Sequence, residues 1–205
     1  MAKQQNTAQQ FPQLEEGQIC PTADEAASGY LICNDQRVIE IIPEGHGIVA
    51  RTVHYPNPVG TKQVSRLYQG LIALDDGDAL SPSVVDVSKV TKVFPLAPGS
   101  CFQVHHHFSG DSLGLVHTDR FEVLKLGKFA IGQCQYRGLE VTRTLSSNRD
   151  PRVGTHRLLY VPDLKNFFIR STAKMVMADN FIHPLASKQT FLDLIRSIHV
   201  QRWGE

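Results

Sequence analysis

Residues 101–108 read CFQVHHHF, and the first chemistry such a run suggests is metal ligation. Side chains alternate along a strand, so His105 and His107 share one face at about 7 Å spacing. A neutral imidazole nitrogen binds zinc, copper or nickel, and two imidazoles at that spacing form half a site. A third donor is available in His117, which has Asp119 at the same parity, if the turn at 109–112 folds the next strand back antiparallel. The candidate metal set is therefore His105, His107 and His117, and the competing reading is a solvent-facing polar strand. Phe102, Val104, His106 and Phe108 occupy the other parity, which is apolar enough to point into a core.

Other chemistry is thinly represented. The carboxylates of LDDGD, residues 74–78, are oxygen donors, but they lack the spacing and terminal Glu of a calcium loop and read as an acidic turn. There is no nucleophile elbow, phosphate-cradling glycine loop, HExxH or dinucleotide fingerprint. Cys134 falls mid-strand in IGQCQYRG and reads as a packed or edge cysteine. Ser146 and Ser147 have no recognisable partners. Phe94, Phe102, Phe108, Phe121, Phe129, Tyr136, Tyr160, Phe167 and Phe168 suit either a closed aromatic core or the lining of an apolar cavity. No cofactor is expected.

These residues need strands to position them, and the chain supplies strands. With 41% hydrophobic residues in 205, it can bury a core. Its 21 basic and 20 acidic residues nearly cancel, which gives no basis for nucleic-acid binding. No apolar run reaches the roughly 18 residues of a membrane-spanning helix. Period-two patterning predicts strands over 30–33, 37–42, 48–55, 63–75, 83–94 and 101–108. It predicts a further pair joined at Leu126–Gly127–Lys128, and a hairpin of 155–161 and 166–176 turning at Pro162–Leu164. Helical periodicity is confined to SKQTFLDLIRSIHVQRW, where Phe191, Leu194, Ile195 and Ile198 share a face, and predicts a C-terminal helix over about 187–200.

The expected fold is mainly β: an antiparallel curled sheet or half-open β-barrel with a C-terminal α-helix. Residues 1–28 form a polar N-terminal arm and 29–205 a single antiparallel β domain. The four cysteines lack CxxC spacing, so they are buried thiols or form one or two disulfides. In the latter case Cys20 and Cys33 would tie down the arm. MAKQQNTAQQFPQ does not read as a signal peptide, which leaves a cytoplasmic chain or an exported one whose leader lies outside this sequence.

Between about 90 and 175, three stretches carry a family likeness: Pro95, Leu96 and Gly99; then Gly127, Phe129 and Ala130; then Tyr160, Pro162 and Asp163. This layout resembles the DUF3108-like group of uncharacterised bacterial periplasmic β proteins. The matching residues are turn and core positions, so the resemblance implies a β fold and a periplasmic or otherwise exported setting, with no catalytic residue. The expected function is a non-enzymatic binding or assembly module of the cell envelope, with a protein partner or self-association. The alternatives are a carrier of an apolar small molecule and a metal-binding protein built on the histidines.

Overall fold

The structure is a computed structural model, and it describes residues 20–33, 38–54, 62–75, 83–84, 87–108, 114–131, 134–149, 154–170 and 181–184. Residues 1–19 of the arm expected over 1–28, and the helix expected at about 187–200, lie outside the described residues. Among the described residues twelve strands form two six-stranded antiparallel sheets. The first sheet contains β1 (Tyr30–Cys33), β2 (Val38–Gly45), β3 (Ile48–His54), β4 (Lys62–Tyr68), β5 (Ile72–Ala73) and β12 (Phe181–Pro184), in the order β12-β1-β2-β3-β4-β5. The second contains β6 (Ser83–Val84), β7 (Cys101–Phe108), β8 (Val116–Ile131), β9 (Cys134–Ser147), β10 (Gly154–Val161) and β11 (Asn166–Arg170), in the order β11-β10-β9-β8-β7-β6. The mainly β, antiparallel class is as expected. Among the described residues the strands divide between two sheets, and no closed barrel forms.

Local chemistry explains most element boundaries. β2 and β3 are joined by His46-Gly47, both at positive φ, the backbone that a two-residue hairpin turn demands. Helix α1 (Ala23–Ala26) is a single turn closed by a capping box in which Thr22 and Glu25 satisfy each other's backbone N–H. The strand expected over 63–75 is split, because Gln69 and Gly70 turn at positive φ between β4 and β5. The strand expected over 83–94 is short, since Val87–Val90 and Thr91–Val93 wind into helical turns. Leu126–Gly127–Lys128 is no turn: β8 runs straight through it, pairing Gly127 with Gly138 of β9. A Cβ on either glycine would meet the Phe129 ring, which lies over both. The expected hairpin at Pro162–Leu164 is present as a 3-10 turn between β10 and β11.

The second sheet is buried on both faces at its centre. Leu159 and Val161 pack with Tyr30, Ile32, Ile41, Val49 and Val53 of the first sheet. Leu158 and Tyr160, on the opposite face, pack with Val104, Phe121, Val141, Tyr68 and Ile72. A β-bulge between Val123 and Lys125 lets β8 serve both clusters. On one side of it Phe121 and Val123 enter the second cluster, and on the other Ile131 enters the first. The two sheets are also fastened at the β4–β5 turn. Tyr160 donates its hydroxyl to the Gln69 carbonyl at 2.9 Å, and a Cβ on Gly70 would overlap the Lys165 carbonyl.

Candidate functional site

Alternation along β7 places the histidines. Val104 and His106 are buried and Phe102 is half-buried, whereas Cys101, Gln103, His105 and His107 are exposed. The strand expectation for CFQVHHHF therefore holds residue by residue where its side chains are described.

The metal set is not assembled. The register pairs His105 with Thr118 and His106 with His117. Directly opposed residues of an antiparallel pair share a face. His117 consequently lies on the face of His106, away from His105 and His107. A register one residue different would have joined them, because a one-residue slip exchanges the two faces of a strand. His105 is instead 3.0 Å from the Thr118 hydroxyl through Nδ1. Among the described residues no three His, Cys, Asp or Glu side chains are grouped to hold a metal ion.

A different constellation forms around His106. Its Nε2 is 3.2 Å from Asp119 Oδ2, and Arg143 donates to the same oxygen at 2.6 Å. His106 and Asp119 are 5% and 3% exposed, deep enough that their polar atoms depend on one another. Burial pushes the Asp119 carboxyl up. The hydrogen bond from His106 and the charge and hydrogen bond of Arg143 outweigh burial and hold it below the usual carboxylate range. An ionised carboxylate only accepts, so His106 Nε2 carries the proton in this bond. The Arg143 guanidinium also lies over the Phe121 ring at 6.0 Å, which joins the polar group to the aromatic core.

This arrangement orients an imidazole and neutralises a buried charge. The sequence carried a partial signal for it: Asp119 has the parity of Phe121, and His106 that of Val104. The third member, Arg143, has no local signature. It comes from β9, 24 residues away, and only the β8–β9 register brings it to Asp119.

A second buried carboxylate, Glu140, is 4% exposed and lies between Lys125 Nζ at 3.4 Å and Arg157 at 3.8 Å. Several aromatic side chains pack against one another in the second cluster. Phe94 meets Tyr68, Phe102 and Tyr160 edge-on at 5.5, 6.5 and 6.4 Å, and Phe102 stacks on Phe121 at 5.0 Å. Tyr30 donates to the Leu164 carbonyl at 2.6 Å, and burial pushes its phenol well above the ordinary value. In the acidic LDDGD stretch, Asp75 accepts from the Arg66 backbone N–H at 2.9 Å, and residues 76–78 lie outside the described ones.

Cysteine pairing differs from expectation. Cys20 is bonded to Cys134, not to Cys33. Cys134 begins β9 and is fully buried, so the bond pins the residue ahead of α1 onto the second sheet. Cys101 is an exposed free thiol.

Fold and site together define a mainly β protein of two antiparallel sheets with a buried His–Asp pair, held by a half-buried Arg, and a cystine. No protein-family model matches the chain, so the DUF3108-like resemblance is not confirmed. A search of curated proteins gave no match. Among solved structures, the hypothetical lipoprotein YmcC from Escherichia coli (K12) is similar at 11% identity and a TM-score of 0.43, over 83% of this chain and 93% of that one. Among the described residues no helix is long and apolar enough to cross a membrane.

Proposed function

We propose that this chain is an exported, non-enzymatic β module of the cell envelope that works by holding a protein partner. The observation that carries the export reading is the Cys20–Cys134 bond, since structural disulfides persist in oxidising compartments and are rare in the cytosol. Binding is supported by large apolar side chains left in solvent on the strands: Ile42, Val64, Leu124, Leu126 and Ile169 are 40–58% exposed. His106, Asp119 and Arg143 serve this reading as an internal brace that fixes the β7–β8–β9 register.

The test is made in the cells that produce the protein. Thiol trapping at lysis reads the oxidation state of Cys20 and Cys134, and a photo-crosslinking amino acid at position 42, 126 or 169 reads contact with another protein. An oxidised pair and a discrete crosslinked adduct from at least one position are expected. A reduced pair in the intact cell, or no adduct from any position, would end the proposal.

A further inference from the structure

The first sheet buries two apolar side chains on the face turned away from the second. Tyr30, Ile32, Ile39 and Ile41 point into the first cluster, so alternation sends Leu31 and Val38 to the outer face. Both are nonetheless buried, at 2% and 5% exposure, and neither belongs to either cluster. Neighbours within a sheet shield the flanks of a side chain, and a further layer is needed to shield its top. The described helical turns are not that layer, since Ala26 and Leu164 enter the first cluster and Val90 the second. The cover has a definite extent. The register aligns His183, Leu31, Glu40, Thr52 and Val64 in one row across β12, β1, β2, β3 and β4. Exposure along that row rises from Leu31 through half-buried Glu40 and Thr52 to 40% at Val64. In the next row it rises from Val38 to half-buried His54. The cover is therefore closest over β1 and β2 and ends before β4.

We propose that residues 187–200 of this chain dock on the outer face of β1 and β2 as an amphipathic helix. Place, size and pattern select this segment. β12 ends at Pro184, which pairs with Tyr30, so the chain leaves the sheet beside Leu31. The three steps from Pro184 to Ser187 reach about 10 Å, enough to turn back over the face. A helix is about 10–12 Å across and strands lie about 4.8 Å apart, so one helix running along the strands shields about two of them. That is the width over which Leu31 and Val38 are covered. Phe191, Leu194, Ile195 and Ile198 supply the apolar stripe at helical spacing, with Ser187 placed to cap it. Other apolar stretches fit less well. Met175, Val176 and Met177 are consecutive and cannot all turn to one face, and Cys20 fastens the end of 1–19 to the second sheet. The inference stands apart from the binding-module reading, because Ile42 and Val64 remain exposed on the same face. It limits where a partner can meet this sheet: the corner over β1 and β2 is already taken, which leaves the side towards β4.

The test uses the purified, oxidised full chain with a photo-crosslinking amino acid at position 195. Mass spectrometry of the digested product is expected to find an adduct within one chain, joined to residues 30–42, in a yield that dilution does not change. Hydroxyl-radical footprinting gives a second reading. In the wild-type protein Leu31 and Val38 should be labelled far less than Ile42. Leu194→Asp combined with Ile198→Asp should raise their labelling severalfold, towards that of Ile42, while Val141 in the second cluster stays protected. No adduct, an adduct lying wholly outside 30–42, or Leu31 and Val38 still protected in the folded variant would overturn the inference. An adduct that joins two chains and is lost on dilution would overturn it in favour of a second copy as the occupant. If Val141 is labelled as well, the variant has unfolded, and the crosslink in the otherwise wild-type chain decides alone.

Discussion

Asp119 offers the sharpest test of how the second sheet is held together. Removing one member of a buried ion pair costs about 3–5 kcal/mol, because the other charge is stranded. The two members are not equally stranded here: the Asp119 side chain is 4% exposed and that of Arg143 is 27%. Arg143→Met leaves a carboxylate with no route to water and should cost about 3 kcal/mol, the lower end of that range because His106 still donates to it. Asp119→Asn leaves a guanidinium that can turn towards solvent, and should cost about 2 kcal/mol. The double variant strands no charge, so its cost should fall at least about 1 kcal/mol short of the sum of the single ones. Urea unfolding at pH 7, with unchanged slope, measures all three. The pH dependence has a definite sign. The folded pKa of Asp119 is lowered, so its stabilising contribution is present above the unfolded value of about 3.9 and is lost as pH falls through the folded value. The gap between wild type and Asp119→Asn should therefore narrow in acid below about pH 4. Additive single costs, or Asp119→Asn costlier than Arg143→Met, would refute the account.

Gly70→Ala should destabilise by more than about 3 kcal/mol, since it adds a Cβ at positive φ and drives it into the Lys165 carbonyl; a melting temperature within a degree or two of wild type would show that the β4–β5 turn is not held there. Reducing the wild-type protein should lower its stability by roughly 4–5 kcal/mol, the chain-entropy value for a bridge spanning 114 residues, whereas Cys134→Ser should be indifferent to reductant; a reductant-insensitive wild-type melt would count against the bond. The double change of His105 and His107 to Gln should stay within about 0.5 kcal/mol of wild type, and His106→Leu should cost more than about 1 kcal/mol by stripping Asp119 of a donor; thermal melts in the reverse order would put the buried face of β7 on the wrong side.

Period two was legible wherever one face of a strand is buried and the other wet, which is why β7 could be placed side chain by side chain from CFQVHHHF alone. It failed where both faces are covered. In β10, Leu158, Leu159, Tyr160 and Val161 are all buried, and no alternation reports that they belong to two clusters. Gly127 misled in another way. It reads as a turn residue, but pairs with Gly138 and exchanges its missing side chain for the Phe129 ring. The site was half legible for the same reason: parity gave His106 its burial, while the opposing partners depend on register. The sum of paired residue numbers in β7 and β8 is odd, and that single unit separated His117 from His105.

The place of β12 has a consequence for how the chain matures. Strands β6 to β11 are contiguous in sequence and complete the second sheet by Arg170. The first sheet is different: β1 pairs with β2 on one side and with β12, Phe181–Pro184, on the other. A nascent chain thus has one finished sheet before the other can close, and the outer backbone of Tyr30–Cys33 stays open until the last described strand arrives. A product truncated before Phe181 retains every residue of both apolar clusters but keeps a bare β1 edge, so premature termination here should yield an aggregation-prone species with a nearly complete core.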